Sequence, residues 1–210
     1  MNMELYFKGF IKKLKKYEEK IAYLQLIGKQ EDYLVKEFCH CLFETSNGEY
    51  FAITNMGDRG EQKIDICVVK GDDLDNLNTL RIIELIEAKY FRNKHEFRTH
   101  LPDDDIGTAM KKLNEQMHFI DKNKNEHGWL QLSPDLHKIN GLTFVSYVSS
   151  ETNKEKKEKY FTKVLKEAKE KMNNINHEKL VLEDVFDDIE IQLANKTRYV
   201  SLRVGLWVLN

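Results

Sequence analysis

The chain has three cysteines, Cys39, Cys41 and Cys67, too few and too irregularly spaced for a disulfide framework or a four-ligand zinc site. On a helix, adjacent side chains diverge by about 100°, so Cys39, His40 and Cys41 cannot close on one ion. Buried free thiols in a reducing cytoplasm are the expectation. Net charge is also small, −2 over 210 residues. No global positive field is available to coat nucleic acid, although an enzyme that meets phosphates through one local patch needs none. No apolar run reaches the roughly eighteen residues of a membrane-spanning helix, and the lysine-rich start lacks the apolar middle of a secretory signal. The expected location is the cytoplasm, with no membrane partner. Gly57-Asp58-Arg59-Gly60 lacks the Lys-Ser/Thr pair of a phosphate-binding loop, and there is no Gly-X-Ser-X-Gly elbow. The seven histidines show no zinc-ligand spacing, and no internal repeat is present.

Hydrophobic residues make up 41% of the chain and charged residues 32%, a balance that suits a folded chain rather than a disordered one. The length predicts one domain over residues 1–210, with 1–28 a helical extension and 30–150 a core. Leu5, Phe10, Leu14, Tyr17, Ile21 and Leu24 predict an amphipathic helix over 3–27, a surface that a second copy or a protein partner could cover. A second helix is expected over 31–44, with Leu34, Val35, Phe38, Cys41 and Leu42 inward and Cys39 a further candidate. Strands are expected over 50–54, 63–69 and 80–90, and their short polar links favour an antiparallel meander. Pro102 and the three aspartates after it start a helix over 106–121. A strand over 142–149, a helix over 155–172 and a strand over 200–208 complete the α/β order. The lysine clusters at residues 8–20 and 154–159 read as solvated helix faces, with phosphate contact as the rival reading.

Arg81 to Tyr90 is an apolar run that ends in Glu87-Ala88-Lys89. Side chains on a strand alternate faces, so Glu87 and Lys89 point the same way, with Cα atoms about 6.5 Å apart. Asp65 interrupts the β-branched run 63–69. If the two strands are neighbours, Asp65, Glu87 and Lys89 converge. Two carboxylates and a backbone oxygen, that of Ala88, suit a hard cation such as Mg²⁺, and Lys89 supplies an adjustable positive charge. The rival reading is a solvated rim carrying a surface ion pair. Against it stands the apolar character of both runs, because charges facing inward need partners or a metal.

Asp65 followed by Glu87-Ala88-Lys89 resembles the PD-(D/E)XK nuclease superfamily, whose signature is an Asp on one strand and Glu-X-Lys on the next. Ile64 stands where the family name has proline. The resemblance covers about residues 30–150 and implies a restriction-endonuclease-like core: a mixed central sheet in the order helix, three-strand meander, helix, strand, here with added N- and C-terminal helices. It implies Mg²⁺-dependent hydrolysis of nucleic-acid phosphodiesters, DNA being the favoured substrate and Mn²⁺ a substitute ion. Asp65, Glu87 and the Ala88 carbonyl would be metal ligands and Lys89 the catalytic cation. Glu37 would be the helper from the preceding helix, with Glu31 and Glu44 as alternatives. Lys112, Gln116 and Arg59 are the candidate substrate contacts. The alternative is a catalytically inactive subunit of the same fold in a larger defence or repair complex.

Overall fold

Met3, Tyr6, Phe7, Phe10, Ile11 and Leu14 recur at helical spacing and are buried along α1, Met3–Lys16. The computed structural model describes residues 2–27, 30–56, 64–70, 81–93, 131–132, 139–172 and 177–209. The expected helix over 3–27 is two helices, because α1 ends at Tyr17, whose φ is −118° and whose amide bonds the Leu14 carbonyl at 3.0 Å. α2 then runs from Glu18 to Ile27. Lys13, Lys15 and Lys16 close α1, and Glu18 and Glu19 open α2. Each group complements the dipole of its own helix end. Leu5 and Tyr17, expected inside, are 55% and 46% exposed. Most of the apolar stripe of this segment packs into the chain's own core.

α3, Gln30–Thr45, buries Leu34, Val35, Phe38, Cys41 and Leu42 as expected. Three strands follow: β1, Tyr50–Met56, β2, Ile64–Lys70, and β3, Arg81–Arg92. They form the expected antiparallel meander. The helix expected over 106–121 lies outside the described residues. A two-residue β4, Gln131–Leu132, and β5, Ile139–Ser149, both run parallel to β3. Such pairing requires a crossover rather than a hairpin. α4 is Lys154–Met172, β6 is His177–Leu193 and β7 is Lys196–Leu209. The main sheet path is β1-β2-β3-β5-β7-β6, with β4 off the path against β3. The architecture is therefore α/β with a mixed sheet.

β6 has no counterpart among the expected elements, and the single closing strand is instead one arm of a hairpin with β7. The added C-terminal part is thus a helix and a hairpin rather than helices alone. The pairing of β6 with β7 slips at Asp184/Phe186 and Phe186/Ile189, with Asp188 at φ 49°. These bulges break the two-residue alternation that would reveal a strand. α4 lies against β5 and the hairpin. Lys157, expected on a solvated face, is 1% exposed and bonds Asp187 and Asp188, the latter at 2.7 Å. Arg203 grips both oxygens of Glu158 at 3.1 and 2.7 Å and lies 4.2 Å from the Phe161 ring centre.

The large apolar cluster joins α1–α3 to one face of the sheet, including Ile66, Val68, Ile86, Ala88, Leu142 and Phe144. Phe10 meets Phe38 and Phe144 edge to face, at 5.3 and 6.3 Å. Cys67, Val69 and Leu85 belong to a second, smaller cluster. Strand alternation therefore assigns Asp65, Glu87 and Lys89 to the sheet face away from the large cluster.

Candidate active site

Ile66 pairs with Ile86 in the β2–β3 ladder. One residue further along, the same register sets Asp65 opposite Glu87, so the two carboxylates share a face. Each is held by the other strand's backbone: the Ala88 amide donates to Asp65 Oδ2 at 2.8 Å, and the Asp65 amide to Glu87 Oε2 at 3.5 Å. Lys89 Nζ lies 2.5 Å from Glu87 Oε1, 2.9 Å from the Ala88 carbonyl oxygen and 3.6 Å from Asp65 Oδ2. The ammonium marks the point at which three oxygens from two strands converge.

Burial is the main influence on Glu87, whose side chain is 5% exposed. It pushes the carboxyl from 4.5 up to about 7, Asp65 adds repulsion, and Lys89 opposes both. For Lys89 burial works to lower the pKa, but the charges of Glu87 and Asp65 outweigh it and the net shift is upward. Lys89 is therefore an ammonium at neutral pH, unsuited to accept a proton. Glu87 is the group whose charge changes near neutrality.

The helical carboxylates divide differently from the expectation. Glu37 pairs with Lys13 at 3.3 Å, and Glu44 joins the same lysine at 3.1 Å. Neither is brought to the β2–β3 cluster. Glu31, in the first turn of α3, is the one whose charge reaches Lys89. Helix geometry accounts for this: positions 37 and 44 are two turns apart on one face, whereas position 31 falls about 120° away from 37. Arg59, Lys112 and Gln116 lie outside the described residues.

Gln25 was not singled out by sequence reasoning, yet it is fully buried and ties α2 to the end of β3. Tyr90 donates its hydroxyl to Gln25 Oε1, and Arg92 Nη1 donates to the Gln25 carbonyl at 2.7 Å. The tie fixes the strand immediately after Lys89. The available signal was positional, since Gln25 follows the buried Ile21 by one helical turn. The thiols offer no nucleophile: Cys39 and Cys67 are pushed up to about 12 by burial.

Asp65, Glu87 and the Ala88 carbonyl offer hard oxygen donors without sulfur or imidazole, a set that fits Mg²⁺ or Mn²⁺ better than Zn²⁺. Among the described residues, no three or more His, Cys, Asp or Glu side chains gather where an ion could be held. A hard cation here would draw its remaining ligands from water and substrate oxygens, as Mg²⁺ commonly does. Among the described residues no helix is long and apolar enough to cross a membrane. Comparison with protein-family models, with curated proteins and with solved structures gives no match.

Proposed function

We propose that this chain is a Mg²⁺-dependent nuclease that hydrolyses nucleic-acid phosphodiesters, with DNA the favoured substrate. The observation that carries the reading is the convergence of Asp65, Glu87 and the Ala88 carbonyl around the Lys89 ammonium. The meander followed by a strand parallel to β3 supports a restriction-endonuclease-like core.

Asp65 and Glu87 would hold the ion, with the Ala88 carbonyl as a third protein ligand. Bound there, Mg²⁺ supplies positive charge to a phosphate oxygen and acidifies a coordinated water. Lys89, fixed as a cation, stabilises the charge that develops on the phosphorane oxygens. Glu31, in the first turn of α3, adds negative charge that helps keep Lys89 protonated. Glu87 must be ionised to bind the ion, so affinity for the metal rises as pH climbs through about 7, the value to which burial pushes its carboxyl.

The test is a panel of circular, linear and single-stranded DNA and RNA substrates with Mg²⁺ or Mn²⁺, run beside Lys89→Ala. Cleavage by the wild type and a loss of about 10²-fold or more in the variant are expected. Cleavage by Lys89→Ala at the wild-type rate would remove the mechanism. A second reading, a non-catalytic subunit, draws on the same geometry, because Lys89 already satisfies Glu87 at 2.5 Å without a metal. That reading expects no cleavage and no change in thermal stability when Mg²⁺ or EDTA is added.

A further inference from the structure

α1 has a second face that the core does not use. Residues 1–20 hold six lysines against three carboxylates in a chain whose total charge is −2. At about 100° per residue, Lys8, Lys12, Lys15 and Lys16 fall within one sector of about 100°, opposite the buried stripe. All four are exposed. Lys13, outside that sector, is the one drawn to Glu37 and Glu44 on α3. Among the described residues, Lys8, Lys12 and Lys15 have no ion-pair partner. In α4, by contrast, Lys156 pairs with Glu151, Lys157 with Asp187 and Asp188, and Lys163 with Glu167.

Dipole complementation accounts for Lys15 and Lys16 at the end of α1 but not for Lys8 and Lys12 in its middle. Around the corner, Glu18 and Glu19 open α2 and Lys20 follows them. Lys16 lies 5.4 Å from the centre of the exposed Tyr17 ring, and Lys20 lies 5.1 Å from the ring of Tyr33 on α3.

We infer that the outward face of α1 and its corner with α2 form a docking surface for the phosphate backbone of nucleic acid. The inference rests on the nuclease reading. Charge complementarity identifies the partner as a polyanion, and Tyr17, exposed beside Lys16, adds a face on which a base stacks. A lipid surface fits less well, because an interfacial helix needs a free apolar face and that of α1 is inside the core.

The experiment measures binding of labelled single-stranded and duplex oligonucleotides to the full chain in EDTA, as a function of salt, so that no cleavage intervenes. A Lys8→Gln/Lys12→Gln/Lys15→Gln/Lys16→Gln variant is expected to lose affinity at least about tenfold at low salt, with a log–log salt slope shallower by about 3 on the single strand. A Lys154→Gln/Lys159→Gln control, also on exposed lysines, is expected to match the wild type. Equal loss in control and variant, no loss in either, or lysine-dependent binding to phosphatidylserine vesicles but not to oligonucleotides overturns the proposal. If the wild type binds through these lysines yet cleaves nothing in Mg²⁺ or Mn²⁺, the docking surface stands and the hydrolytic reading falls. If it cleaves but the four substitutions leave binding unchanged, the reverse holds.

Discussion

Replacing Glu87 with glutamine tests whether this carboxylate is held in the fold at an energetic cost. Its pKa stands at about 7 against an ordinary 4.5, and at about 1.36 kcal/mol per unit the difference amounts to about 3 kcal/mol. The sign follows from proton counts. Below pH 4.5 both folded and unfolded chains carry a protonated Glu87 and there is no penalty. Between 4.5 and about 7 the unfolded chain releases the proton while the folded chain keeps it, so stability falls as pH rises. Above about 7 the folded chain bears the full cost of the buried charge. Urea denaturation of wild type and Glu87→Gln across this window reads Glu87 together with its coupling to Asp65 and Lys89, because the titrating side chains away from this cluster are common to both. The difference is expected to grow with pH in favour of glutamine, approaching about 3 kcal/mol by pH 8. Mg²⁺ at about 100 times its Kd should restore about 2.7 kcal/mol to the wild type and nothing to the variant. A pH-independent difference, or a variant that loses ground to the wild type as pH rises, would refute the reasoning.

Two further outcomes separate the helical carboxylates and the C-terminal lock. Glu31→Gln is expected to slow cleavage by about tenfold or more, while Glu37→Gln, which removes the Lys13 contact, leaves the rate within about twofold; single-turnover kinetics with saturating metal distinguishes them, and equal effects would contradict the division of the α3 carboxylates. Lys157→Met should cost about 1–3 kcal/mol, less than a fully buried pair because Asp187 is largely exposed, and it strands Asp188 and the Asp187–Ser201 bond; a denaturation midpoint equal to the wild type's would show the lysine to be dispensable.

The strand pair and its three ionisable groups were legible because both rest on a period-two pattern. An apolar run that alternates into Glu87 and Lys89 fixes their common face, and a short connection from β2 leaves antiparallel pairing as the economical arrangement. α3 was legible for the matching reason at helical period, with Leu34, Val35, Phe38, Cys41 and Leu42 buried and Cys39 half-buried. The break at Tyr17 was written in the sequence as three lysines followed by two glutamates, but propensity alone carries a helix across such a junction. β6 was not legible, because its bulges shift Val185 and Phe186 together into the interior and its six acidic residues read as solvated coil. Lys157 eluded composition altogether: a lysine among lysines turns inward only because a bulge on a strand some thirty residues later presents two aspartates to it. Glu37 was favoured over Glu31 by sequence position, while the outcome was set by which face of α3 meets Lys13.

Calorimetric titration of Mn²⁺ into the wild type and into Asp65→Asn at pH 8, where Glu87 is ionised, tests the convergence of two carboxylates and a carbonyl on one hard cation. The account expects one ion per wild-type chain and at least about a tenfold weaker affinity in Asp65→Asn. No binding by the wild type, or the same isotherm in both proteins, would contradict it.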